Sequence, residues 1–279
     1  MDTLFIELSA AMIDNPATPD HRTNVEITLE NASDNLEIEN QEGSPRSVHK
    51  FTLKDPSRFG YGSPQNLSVD DVAFLLAISC SLANPRILFS PLQPNLLAPS
   101  IEFEEIPTKV EMIEKPGELN IAVTDIIRTT EHVSTVLGTK FSLDEITLLN
   151  IVDKLLAYRI FDIANRNLLE LNVLDAINRY RDALMTAEGV SCYCFLFNAF
   201  EKAINADINR GDKVFDKAAS LATGQLETEI EELRKFNNRI KHPLRNYADF
   251  ATLQAGESRL AELSKNLKKA ADSAILSRV

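Results

Sequence analysis

The stretch Leu168-Leu-Glu-Leu-Asn-Val-Leu-Asp-Ala-Ile-Asn-Arg-Tyr-Arg-Asp-Ala-Leu184 decides the fold class of the second half of this 279-residue chain. Leu168, Leu171, Leu174 and Ile177 recur at the spacing that returns to one face of a helix. Working outward, Ser191–Ile208 repeats the pattern with Leu196, Phe200, Ala203 and Ile204, which places Phe200 in the core. Lys213–Ala222 reads as a short helix, Leu226–Lys241 as another, and Thr252–Leu276 as a long amphipathic one. Upstream, Ser142 and Glu145 have capping-box spacing and open a helix expected to run to about Phe161. Several such helices joined by short turns predict an antiparallel bundle.

The first half reads differently. Thr3–Leu8 and Asn24–Leu29 alternate apolar and polar side chains, the period of a half-buried strand. Leu36–Glu39, His49–Leu53, Arg86–Phe89, Ile101–Ile106 and Lys109–Ile113 are further strand candidates. One helix interrupts them: Ser68 and Asp71 form a capping box, and Asn84-Pro85 stops the apolar run that follows. The expected fold class is α+β, an acidic strand-rich N-terminal domain followed by an all-α bundle. Eleven of the twelve prolines fall at or before Pro116. Proline interrupts helices, so this division suggests domains at 1–117 and 118–279.

Charge divides the same way. Residues 1–140 carry 10 basic and 21 acidic side chains, residues 141–279 carry 19 and 20, and the whole chain is −12. A globally acidic protein is a poor nonspecific partner for nucleic acid or membrane unless its cations gather in one place. The longest apolar run, Val72–Ala83, is too short to span a bilayer, so no membrane partner is expected. MDTLFIEL has no basic leader region, and the cysteines number only three, Cys80, Cys192 and Cys194. Reduced thiols and a cytoplasmic location are the expectation.

Most signatures of chemistry are missing. The chain has no P-loop, dinucleotide fingerprint, nucleophile elbow or His-Glu-x-x-His. Gly60-Tyr61-Gly62 reads as a turn. Cys192 and Cys194 point about 200° apart on a helix, so they read as structural thiols rather than a metal pair. His21, His49 and His132 are scattered. No metal and no cofactor are expected.

One stretch stands apart: Glu232-Leu-Arg-Lys-Phe-Asn-Asn-Arg-Ile-Lys-His-Pro-Leu-Arg245. Arg234, Lys235, Arg239, Lys241 and Arg245 fall within twelve positions of an acidic chain. On a helix, Ile230, Leu233 and Ile240 make an apolar stripe with Leu226, and Asn237 falls inside it. Arg234, Asn238, Lys241 and His242 share another face, and Asn238 and His242 are four apart, close enough to touch. His242 precedes Pro243, where a helix stops. A ring that titrates near neutrality, beside cations and an amide, suits phosphate chemistry. Basic residues in a last helical turn are also ordinary compensation of the macrodipole.

Three segments resemble the HEPN family (higher eukaryote and prokaryote nucleotide-binding), of the Apea-like branch. Asn178–Leu184 is similar to its early helix, Phe195–Ile204 to the helix that follows, and Leu233–Pro243 to the helix ending in the family's histidine; together they span about 145–279. The resemblance implies a homodimer or protein partner, RNA as substrate, and a metal-independent endoribonuclease of prokaryotic defence or stress response. Its signature is Arg, four to six residues, then His. Here those spacings put Asn237, Phe236 or Lys235 at the arginine position, while Arg234 has seven residues before His242 and Arg239 only two. The motif is broken, and lysine does not replace arginine on a planar phosphate face. The catalytic candidates are His242 as general acid/base, Arg234 or Arg239 toward phosphate, and Asn238 as orienting group. Lys235, Lys241 and Arg245 are the candidates for holding RNA. The competing expectation is a non-catalytic assembly or regulatory protein whose bundle mediates dimerisation or docking.

Overall fold

The computed structural model describes residues 3–13, 25–33, 35–41, 47–62, 66–92, 139–164, 166–186, 189–205, 211–241 and 257–279. Its first half is built on strands β1 (Leu4–Met12), β2 (Val25–Glu30), β3 (Leu36–Gln41), β4 (Ser47–Leu53) and β5 (Ile87–Pro91). Four of them form an antiparallel sheet in the order β3-β4-β1-β5. Alternation sorts its faces: Ile6 and Leu8 stand beside Phe51 and His49, all buried. On the opposite face the Lys50 ammonium lies over the Phe5 ring at 4.7 Å. The candidate strands 101–106 and 109–113 lie outside the described residues, as does the expected boundary at 117–118.

An unforeseen strand, β6 (Thr139–Asp144), pairs with β2 in parallel. This corrects the helix start. Ser142 lies within the strand, and Asp144 is the N-cap, accepting from Thr147 N at 3.0 Å. Glu145 turns inward instead, where its carboxylate accepts from the backbone N–H of Ser33 at 2.5 Å and the Ser33 hydroxyl at 2.5 Å. Asn40 links the two sheets: its Oδ1 accepts from Ile27 N at 2.9 Å and its Nδ2 donates to Ile27 O at 3.0 Å. These two bonds fix the amide orientation, so His49 Nδ1, 2.8 Å from the same Oδ1, must carry the proton. Nε2 is then a bare acceptor, buried without a partner among the described residues. Burial holds the His49 pKa down at about 4.

Helix α1 (Val69–Ala83) starts on the expected Ser68–Asp71 capping box. From Leu75 to Leu82 it is buried on every side, which is how a central helix reads. It packs on β5, on α2 (Glu145–Tyr158) and on α3 (Leu168–Thr186). The remaining helices are α4 (Gly189–Asn205), α5 (Asp212–Thr223), α6 (Glu227–Lys241) and α7 (Glu257–Leu276). α3 lies along α4, and α4 against α7. Phe200 of α4 is fully buried, edge-on to Phe197 and Phe215. The architecture is α+β, an N-terminal antiparallel sheet with a C-terminal region of helices. The buried apolar residues of both make one continuous cluster. Among the described residues no helix is long and apolar enough to cross a membrane.

A polar knot lies inside that cluster. Lys268 of α7 has no exposed surface. Its ammonium donates to Ser81 O at 2.6 Å, Asn84 O at 2.7 Å and Asp272 Oδ2 at 2.7 Å. The Tyr180 hydroxyl donates to the other Asp272 oxygen at 2.6 Å. Ser81 and Asn84 are at the end of α1, where carbonyls lack helical partners and the dipole favours a cation. One buried lysine thus caps α1 from α7, and its charge is matched by a carboxylate one turn away.

Candidate nucleic-acid interface

α6 is oriented by what its inner face buries. Ile230 and Leu233 are buried, as the apolar stripe predicts, and so is Asn237 at 1% exposed. Leu226 does not join the stripe; it precedes the helix and is 67% exposed. The Tyr193 hydroxyl donates to Leu233 O at 2.9 Å, and the Tyr193 and Phe236 rings meet edge to face at 5.0 Å. Glu227 and Glu229 occupy the first turn and Arg239 and Lys241 the last, the order the macrodipole favours.

The candidate residues divide. Arg234 is half-buried and its Nε stands 3.2 Å from Asp216 Oδ1 of α5, itself buried, so this guanidinium is already committed to a carboxylate. Lys235 is exposed and bridges to Glu231 at 2.8 Å. Asn238, Arg239 and Lys241 are exposed. Lys241 reaches toward Asn198 Oδ1 of α4 at 3.4 Å and lies 5.8 Å from the centre of the Phe197 ring. Around the helix, Lys235 and Arg239 share one side; Arg234, Asn238 and Lys241 share another. Arg239 is about 140° from Arg234, so the two arginines do not converge. His242 and Arg245 lie outside the described residues.

The three positions the HEPN spacing allows for arginine have different surroundings. Asn237 is interior, with its Oδ1 buried and unpartnered among the described residues. Phe236 packs on Tyr193. Only Lys235 faces solvent. What the described part of α6 offers a ligand is therefore a set of exposed cations and one amide.

Two partners were invisible in the sequence. Asp216 neutralises Arg234, and Asn198 supplies an amide beside Lys241; both come from other helices, and neither residue carries a pattern that marks it. The cysteines are free; Cys80 and Cys192 are buried and Cys194 is half-buried. Burial pushes the Cys194 thiol up, and the nearby Lys241 charge partly opposes this. Among the described residues no group of three His, Cys, Asp or Glu side chains is placed to hold a metal. Compared with known proteins, the chain matches no family model, no curated protein and no solved structure.

Proposed function

We propose that this chain is a HEPN-like RNA-associated protein of prokaryotic defence or stress response, acting in the cytoplasm as a dimer. The end of α6 is its RNA-facing site. The observation that carries the reading is the exposure of Lys235, Asn238, Arg239 and Lys241 in the last two turns of one helix of an acidic chain. Neutralising phosphates with lysine and arginine supplies most nonspecific affinity for RNA. Lys235, Lys241 and Arg245 hold the backbone in this reading. His242 acts as general acid/base on a ribose hydroxyl, Asn238 orients, and Arg239 stabilises charge on phosphate. Arg234, held by Asp216, buttresses the helix instead of meeting phosphate.

That same ion pair favours a second reading, in which the bundle is a non-catalytic assembly or regulatory protein. One experiment separates them. Purified protein is incubated with labelled single-stranded RNA in EDTA, wild type beside His242→Ala. Cleavage lost in the variant supports the enzyme. RNA binding without cleavage in either protein supports the non-catalytic RNA-associated form. Neither binding nor cleavage, with a stable dimer, leaves the assembly reading.

A further inference from the structure

A cavity of about 370 Å³ opens where the end of α1 meets α7 and the turn between α5 and α6. That volume is at the low end of the about 300–1,000 Å³ of small-molecule pockets. Leu82, Pro85 and Leu276 give it apolar walls. Lys269 and Ser273, exposed and four residues apart on α7, stand at its rim. Asp272 also lines it and is buried. The sign of the ligand follows from which of these charges is already answered. Both Asp272 oxygens are engaged, one by the Lys268 ammonium at 2.7 Å and one by the Tyr180 hydroxyl at 2.6 Å. The carboxylate's charge is therefore already answered by Lys268. Lys269, by contrast, is in no ion pair among the described residues. The site thus joins an apolar hollow to an ammonium that is in no ion pair among the described residues, with a hydroxyl one turn away and the Gln225 amide, whose Oε1 is buried and unpartnered among the described residues, on its wall.

We propose that this cavity binds a small amphipathic carboxylate, its chain between Leu82, Pro85 and Leu276 and its head group on Lys269 and Ser273. Tight small-molecule sites have this composition, mostly apolar walls with a few polar groups that fix orientation. The site is on α7, so it stands or falls independently of the RNA reading of α6.

The probes are octanoate and octylammonium, which share a tail and differ in the sign of the head, titrated calorimetrically into the full chain. Octanoate binds, and octylammonium binds at least tenfold more weakly. Lys269→Glu weakens octanoate at least tenfold, and Ser273→Trp, which fills the rim, abolishes binding. Both residues are exposed, so the variants keep the wild-type melting temperature. Equal affinity for the two probes overturns the proposal. So does octanoate binding that survives Ser273→Trp, which would locate the ligand elsewhere, or a Lys269→Glu protein that binds octanoate as wild type does.

Discussion

Lys268 and Lys241 carry the same ammonium in opposite surroundings. Lys268 is sealed in the core with all three of its N–H donors used. Lys241 is exposed at the end of α6, and among the described residues a single amide oxygen at 3.4 Å is its hydrogen-bond contact. Burial pulls the Lys268 pKa down and pushes Asp272 up, while their attraction for each other resists both shifts. A charge placed so deep is tolerated because its three donors and both Asp272 oxygens are paired. The exposed lysine is solvated, costs the fold almost nothing and remains free to meet a phosphate. Charged residues in this chain thus divide by burial: those inside join elements, and those at the end of α6 are available for recognition.

The sharpest way to break this comparison is to delete the buried charge. Lys268→Ala leaves the Asp272 carboxylate without its counter-charge and takes the ammonium from the Ser81 and Asn84 carbonyls in the core, and should cost about 3–5 kcal/mol, measured by urea denaturation. Lys268→Met with Asp272→Leu removes both charges and should recover much of that loss. Equal losses in the single and double variants would mean that packing, not charge, fixes this site.

His49 tests burial by pH rather than by mutation. Its folded pKa, about 4, lies below the ordinary value of 6.5. The folded state therefore favours the neutral ring, and its contribution is complete above pH 6.5. Stability falls as pH drops from about 6.5 to 4 and the unfolded chain gains the proton first. The loss should approach about 3 kcal/mol, and His49→Gln should remove that part of the pH dependence. A smaller effect is expected at half-buried Arg234, where Arg234→Ala removes one guanidinium from beside the buried Asp216 and should cost about 1–3 kcal/mol. Smallest is Lys241→Ala, expected within about 0.5 kcal/mol of wild type. A Lys241→Ala loss as large as that of Arg234→Ala would erase the distinction between structural and available charge.

Much of the fold was legible because hydrophobic period survives translation into structure. β1–β5, the Ser68–Asp71 cap and the helices through α7 fall where alternation and helical spacing put them, within a few residues at their ends. The exceptions share a cause. β6 pairs with β2 across more than a hundred residues, and nothing local in Thr139–Asp144 announces a parallel partner. Ser142 and Glu145 have the spacing of a cap, but Asp144 is the better-placed acceptor and Ser33 claims Glu145. Lys268 lies on a buried stripe with Leu267, Ala271 and Ile275, where polar residue types read as surface. At the candidate site, the inward turn of Asn237 and the outward turn of Lys241 followed from helical angles. The commitment of Arg234 to Asp216 did not, because a contact between helices has no signature in one strand of sequence.

The most direct test of the exposed cations is the salt dependence of RNA affinity. Fluorescence anisotropy of labelled single-stranded RNA in EDTA, over a series of salt concentrations, compares wild type with the combined Lys235→Ala, Arg239→Ala and Lys241→Ala variant. Each phosphate neutralised on a single strand contributes about 0.7 to the slope of log affinity against log salt. The expected result is a folded variant that binds more weakly, with a slope lower by about 2. A variant with wild-type affinity and slope would show that RNA does not dock at the end of α6.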